Sequence, residues 1–306
     1  MSRVYVFGEY GGPETEALIE RPVPTPGPGE ILVEVRAAGV NPVDWKIRAG
    51  LLGQSPSRKL PAPMGREVAG VVAATGAGVE AFALGDEVLG PVAPGQGGFA
   101  DHALLRADEA VAKPAELSFE AAATIAVAGT TAYDLTHAIE LDAGATVVVL
   151  GAGGGVGSLA VEIGRVHRFR VIGIASEGKR ELVEGLGAEF VPSGDGAAAA
   201  VRELAPDGVD LIVDLVGGEA LRALAPLAKS GDHILSAPDP RTAEEFGGGG
   251  RPNDPDALRK ITEVIGFGVI TPRVSATYPL DRAREALAAV EAGHALGKTV
   301  IVPQER

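Results

Sequence analysis

The stretch Gly151-Ala152-Gly153-Gly154-Gly155-Val156-Gly157 carries the clearest chemical signal in the chain. It follows a β-branched run, Thr146-Val147-Val148-Val149-Leu150, and leads into Ser158-Leu159-Ala160, which has helical character. Glycines between a strand and a helix let the backbone approach a pyrophosphate, and the free N–H groups of the first helical turn bind its charge. The strict G-x-G-x-x-G spacing is not met, because the third position is Val156 counted from Gly151 and Ser158 counted from Gly153. The frame Ala152-x-Gly154-x-x-Gly157 is met, with alanine in first place. A plain glycine-rich turn would have the same composition. The alternating strand and helix patterns downstream favour a dinucleotide site over it.

The tip of the next strand bears on which dinucleotide. Sites for NAD place an acid there, bonded to the ribose 2′-OH. Here the strand Val171-Ile172-Gly173-Ile174-Ala175 ends in Ser176, followed by Glu177, Gly178, Lys179 and Arg180. A 2′-phosphate suits Ser176, Lys179 and Arg180, so the balance favours NADPH, with Glu177 leaving room for NADH. The competing reading makes Lys179 and Arg180 solvated helix residues paired with Glu181 or Glu184.

These residues must be held by regular elements. From residue 146 onward, strand patterns at 146–150, 170–175, 189–192, 210–214 and 232–236 alternate with helical ones such as 177–186 and 219–229. That rhythm predicts a doubly wound parallel sheet. Before it, Val4-Tyr5-Val6-Phe7, residues 31–36, Val68-Ala69-Gly70-Val71-Val72 and Glu87-Val88-Leu89-Gly90 read as strands of a mostly β domain. A helix is expected over 118–139, a loop over 239–256, a strand over 269–274, a helix over 280–292 and a last strand over 298–302. The tail is expected to rejoin the first domain. The division is then residues 1–122 with 268–306 as the catalytic domain, and 123–267 as the dinucleotide-binding domain.

Composition narrows the partners. The 306 residues carry a net charge of −14 and no cysteine. The charge disfavours nucleic acid and anionic lipid as partners, and no Lys/Arg cluster of the kind a nucleic-acid binder uses is evident. Without cysteine there are no disulfides, and the N-terminal residues contain no long apolar run, so a cytoplasmic location is expected. The five histidines (His102, His137, His167, His233 and His294) have no metal-ligand spacing.

Several blocks, taken in order, resemble one family. They are Ala37-Ala38-Gly39-Val40-Asn41-Pro42-Val43-Asp44, Gly65-Arg66-Glu67-Val68-Ala69-Gly70, Gly85-Asp86-Glu87-Val88, Gly97-Gly98-Phe99-Ala100, Ala128-Gly129-Thr130-Thr131-Ala132-Tyr133, the glycine cluster, and Gly297-Lys298-Thr299-Val300. Together they resemble the medium-chain dehydrogenase/reductases, in the zinc-independent quinone oxidoreductase (zeta-crystallin-like) branch. The resemblance implies an α/β fold: a Rossmann doubly wound parallel sheet plus a mostly β, GroES-like catalytic domain. Zinc-dependent relatives carry a cysteine where this chain has Asn41, and Gly-His-Glu where it has Gly65-Arg66-Glu67, so no metal is expected.

The resemblance also implies roles. Asn41 would lie beside nicotinamide and substrate, and Thr131 at the nicotinamide end. Gly154, Gly155 and Val156 would meet the pyrophosphate, and Leu215, Ser236 and Ala237 would line the cofactor cleft. On the residues alone, Asn41 also reads as a turn residue before Pro42, and Thr131 as a helix hydroxyl bonded to its own backbone. Two departures stand out. A tyrosine common after the third Rossmann strand is missing from Val191-Pro192-Ser193-Gly194-Asp195. The edge strand through which relatives often form a homodimer would fall on Gly247-Gly248-Gly249-Gly250 and Arg251, and glycines make a poor strand.

The activity implied is hydride transfer from NADPH to a small-molecule electron acceptor, a quinone or an α,β-unsaturated carbonyl. Asn41 is the first candidate donor to the acceptor oxygen. Lys46 is a second, against packing beside Trp45 with a solvated head. Asp44 is a proton relay or a helix cap. An enoyl-thioester reductase of a biosynthetic pathway and a non-catalytic NADPH-binding protein are the alternatives.

Overall fold

The computed structural model describes residues 1–55, 58–293 and 295–303, so His294 lies outside the described residues. By its internal contacts the chain forms two compact units, the first of Met1–Val127, Leu258–Gly266 and Pro272–Arg306, the second of Ala128–Ala257 and Phe267–Thr271.

In the first unit a sheet of seven strands has the long strand Glu30–Val40 at its centre. Glu30–Val40 pairs antiparallel with Glu67–Thr75, His102–Arg106 and the C-terminal Lys298–Val302. Thr299 therefore lies opposite Val40, and Glu67 opposite Gly39. Alternate β-branched and aliphatic side chains point into one core, where Val33, Val35, Val68, Val88, Leu105 and Ile301 are buried with Phe99. A three-stranded sheet of Ser2–Phe7, Glu16–Arg21 and Ala62–Pro63 adds Tyr5 and Phe7 to the same core.

In the second unit six strands are all parallel, in the order Glu189–Pro192, Arg170–Ala175, Thr146–Leu150, Leu211–Asp214, Ile234–Ser236, Gly249–Gly250. Strands of such a sheet are buried on both faces, which is why Val147-Val148-Val149-Leu150 and Leu211-Ile212-Val213-Asp214 are unbroken buried runs. The order reverses beside Thr146–Leu150, and that switch point is where α/β sheets take their ligands.

Four expectations need correction. The 118–139 helix is broken into Phe119–Ala122, a π turn at Ile125–Gly129, and Thr130–Thr136. In the π turn the Val127 N–H donates to the Glu67 carboxylate at 2.7 Å. The 239–256 loop contains a helix at Pro240–Glu245, whose cap Asp239 accepts from the Thr242 N–H, and the short edge strand Gly249–Gly250. A helix at Ala257–Gly266 was not foreseen. The strand placed over 269–274 begins only at Val274 and runs to Pro279. No helix among the described residues is long and apolar enough to cross a membrane.

Candidate functional site

In the second unit the glycine cluster forms the turn from Thr146–Leu150 into the helix Gly155–Val166. Gly151 has φ of +95°, which favours glycine, and a side chain at Gly157 would run into the Gly151 carbonyl. The Gly154 N–H is already used by the Gly151 carbonyl at 3.1 Å, so Gly154 is the helix cap rather than a phosphate donor. The N–H groups of Gly155, Val156 and Gly157 open the helix and have no acceptor within it. A side chain at Gly153 would overlap the Lys179 side chain, with Lys179 Cβ at 2.9 Å. Lys179 thus lies across the bare Gly153, half-buried, and burial lowers its pKa.

The other expected cofactor residues divide. Ser176 is exposed at the end of its strand, and its side chain makes no cap bond. Arg180 is committed elsewhere: it pairs with Glu177 at 2.7 Å and Glu184 at 3.2 Å, and its guanidinium lies 4.2 Å from the Phe190 ring centre. Leu215 abuts Gly151. Ser236 is fully buried and donates to Asp214 at 2.5 Å, while the Ala237 N–H donates to the Asp214 carbonyl at 3.0 Å. Asp214 also accepts from the N–H groups of Val216 and Gly217. Ser236 therefore braces the turn after Leu211–Asp214 instead of presenting its hydroxyl to a ligand. Asp214 was not anticipated, although an acid ending a buried strand just before Gly217-Gly218 is a turn signal.

Thr131 is tied to a second unanticipated residue. Arg251 donates to the Thr131 and Thr130 hydroxyls at 2.8 and 3.0 Å and to the buried Asp134 carboxylate at 2.7 Å.

In the first unit Asn41 caps the helix Pro42–Arg48, its N–H donating to the Asp44 carboxylate at 2.8 Å. The Asn41 side chain is buried and spent. Its Nδ2 donates to Glu67 at 2.8 Å and to the Gly39 carbonyl at 3.3 Å, and its Oδ1 accepts from Lys298 at 2.5 Å. Lys298 Nζ also reaches Glu67 Oε1 at 3.1 Å and the Val40 carbonyl at 3.2 Å. Glu67 fits over the strand only because residue 39 is glycine, since a Cβ there would overlap its carboxylate. Asn41 therefore has no amide hydrogen left to donate to an acceptor oxygen, and the expectation that it would do so is corrected. A lysine ammonium bridges Asn41 and Glu67. Among the described residues, no three His, Cys, Asp or Glu side chains are grouped so as to hold a metal ion. His137 and His167, far apart in sequence, do meet, Nε2 to Nε2 at 3.0 Å.

Asp44 is only 3% exposed and its Oδ1 has no hydrogen-bond partner. Burial pushes its carboxyl up to about 7, opposed by the Asn41 N–H and by Lys298 and Arg66, and reinforced by Glu67. It lines a cavity of about 600 Å³ within the first unit, together with Phe7, Met64, Arg66, Val92 and Gln96. Lys46 does not line this cavity, and its Nζ lies 5.9 Å from the Trp45 ring centre.

The chain is similar to known oxidoreductases. Residues 27–115 match the alcohol dehydrogenase GroES-like domain, and residues 186–301 match the zinc-binding dehydrogenase domain. A quinone oxidoreductase of Lama guanicoe is 36% identical over 242 residues, spanning 77% of this chain and 72% of its own. An NADPH-dependent alkenal/one oxidoreductase of Arabidopsis thaliana is 31% identical, over 98% of this chain and 79% of its own. The crystal structure of the Escherichia coli quinone oxidoreductase complexed with NADPH superposes with a TM-score of 0.89 at 26% identity, over 99% of this chain and 100% of that one. The chain belongs to the medium-chain dehydrogenase/reductases, in their quinone oxidoreductase branch.

Proposed function

We propose that this protein reduces a quinone or an α,β-unsaturated carbonyl compound with NADPH. It is an NADPH-dependent oxidoreductase, and its curated relatives are quinone and alkenal/one oxidoreductases. The observation that carries the reading is Lys179 laid across Gly153 beside the unused N–H groups of Gly155 and Val156. These residues fit a phosphorylated dinucleotide: the first-turn N–H groups hold the pyrophosphate, and Lys179, with Ser176 near it in sequence, holds the 2′-phosphate. Arg180 contributes less, because two carboxylates already occupy it. Thr131, whose hydroxyl accepts from Arg251, is assigned to the nicotinamide end on the family resemblance. When bound, NADPH supplies the hydride.

The chain's own part is to hold the acceptor and manage a proton. The acceptor occupies the cavity lined by Phe7, Asp44 and Met64. Asp44 donates a proton from its carboxyl to the reduced acceptor, at the α-carbon of an enolate or the oxygen of a quinolate, and water restores it. A carboxyl with a pKa near neutrality suits that role. Asn41 acts through its backbone N–H, which holds the other Asp44 oxygen. Lys46 has no part. The proposal includes a cytoplasmic location, which cell fractionation tests.

The test is oxidation of NADPH and NADH against 1,4-naphthoquinone, 9,10-phenanthrenequinone and an enone. Turnover preferring NADPH, with Lys179→Ala raising KM for NADPH by about ten-fold and leaving NADH unaffected, is the expected result. Tight NADPH binding without turnover of any acceptor would sink the reading.

A further inference from the structure

The charges around the acceptor cavity exceed what reduction requires. Arg58, Lys59 and Arg66 all line it. The chain holds 41 acidic against 27 basic side chains, and many of its arginines pair with carboxylates, as Arg3 with Asp101, Arg106 with Asp108 and Arg170 with Glu189, while others such as Arg21 and Arg165 donate to backbone carbonyls. Among the described residues none of these three cations forms a salt bridge, although Arg66 lies near enough to Asp44 to favour its charged form. The Arg58 Nε is buried without an acceptor, just as the Asp44 Oδ1 is buried without a donor. The two residues that carry these orphaned polar atoms, of opposite character, both line one cavity. A buried donor is normally satisfied, and one left open beside a cavity points to a ligand. Two acids also line the cavity. Glu109 is 3.4 Å from Arg106, and Asp44 is the proton donor proposed above.

We propose that this cavity selects acceptors carrying an oxyanion, a carboxylate or a phosphate, set apart from the reducible group, and that Arg58 with Lys59 and Arg66 receives it. The inference rests on the reading of the cavity as the acceptor site. Guanidinium groups match carboxylate and phosphate oxygens in fork geometry, and the Arg58 Nε supplies one prong. The chain's net charge of −14 repels anions, so a local group of unpaired cations is the feature that would draw one in. Asp44 then serves the reduced end of the acceptor, and the cations hold its charged end.

Three matched probes test this with the full chain and saturating NADPH. They are a 1,4-naphthoquinone bearing a 2-propanoate chain, its methyl ester, and the phosphate ester of the corresponding alcohol. The expected result is a KM at least about ten-fold lower for one anionic probe than for the ester, and the preferred anion identifies the group recognised. Arg58→Gln and Lys59→Gln should raise the KM of that probe about ten-fold and move the ester's far less. Equal KM values for ester and anions, or an Arg58→Gln effect equal on all three, would overturn the inference while leaving the reductase reading intact. If none of the quinones is reduced, the reductase reading fails instead. Calorimetric titration of the propanoate into wild type and Arg58→Gln then decides the anion site alone: weaker binding to the variant supports it, and equal binding overturns it.

Discussion

Replacing Lys298 with methionine tests whether the buried trio of Asn41, Glu67 and Lys298 is the brace it is drawn to be. Glu67 is fully buried and Lys298 is 5% exposed, so neither has water to fall back on. Removing one partner of a buried ion pair costs about 3–5 kcal/mol, because the other charge is stranded. Glu67 would keep the Asn41 amide at 2.8 Å and the Val127 N–H at 2.7 Å, which places its loss near the lower figure, at about 3 kcal/mol. The Asn41 Oδ1 would lose its donor as well, adding about 1 kcal/mol. Lys298→Met should therefore lower unfolding free energy by about 4 kcal/mol. Adding Glu67→Gln removes the stranded charge and should restore about 2 kcal/mol of that loss. Urea unfolding followed by the fluorescence of Trp45, the chain's one tryptophan, reads the unit that contains the trio. A Lys298→Met variant within about 1 kcal/mol of wild type, or a double variant as unstable as the sum of the singles, would refute the reasoning.

The remaining predictions concern the other groups. Asp44 is raised to about 7 in the folded chain, so the fold binds its proton more tightly than the unfolded chain does. Its stabilising contribution is complete below about pH 4 and is lost as pH rises through about 7. Asp44→Asn should flatten that stretch of the stability profile, measured by urea melts at several pH values. The same variant should lower kcat for an enone by about 100-fold and abolish the wild-type decline in rate above neutrality, read from a pH–rate profile. Gly157→Ala drives a Cβ into the Gly151 carbonyl and should cost about 1–3 kcal/mol in a urea melt. Gly153→Ala brings a Cβ within 2.9 Å of Lys179 Cβ, which moves only with its backbone, so it should cost about 1 kcal/mol in a urea melt and also weaken NADPH binding, measured by fluorescence titration. Arg251→Ala strands the buried Asp134 and should cost about 3 kcal/mol in a urea melt.

The parts of this protein that declare themselves in sequence are the local ones. The β-branched run before Gly151, the glycine turn and the repeating strand and helix patterns each depend on residues close in the chain, and the parallel sheet follows from them. What stays hidden is the pairing of buried charge. Lys298 reaches Asn41 across 257 positions and Glu67 across 231, and Arg251 reaches Thr131 across 120. Lys298 stood in plain view in Gly297-Lys298-Thr299-Val300, but only the antiparallel pairing of Thr299 with Val40 puts it beside Asn41. For the same reason the Asn41 amide looked available when it was not. The helix Pro240–Glu245, read as loop, did carry a local signal, since Asp239-Pro240 is a cap followed by a proline in the first turn. The π turn at Ile125–Gly129 was not, because the bond from Val127 to Glu67 belongs to tertiary packing.

The most direct test of the central claim is to follow a deuterium label from C4 of NADPH into an enone product. With the full chain and NADPH deuterated on each C4 face in turn, the account predicts that one face alone delivers its deuterium to the β-carbon of the saturated ketone. The α-carbon hydrogen should come from solvent. NADPH oxidation that leaves no label in the product, with either face deuterated, would contradict hydride transfer to a bound acceptor.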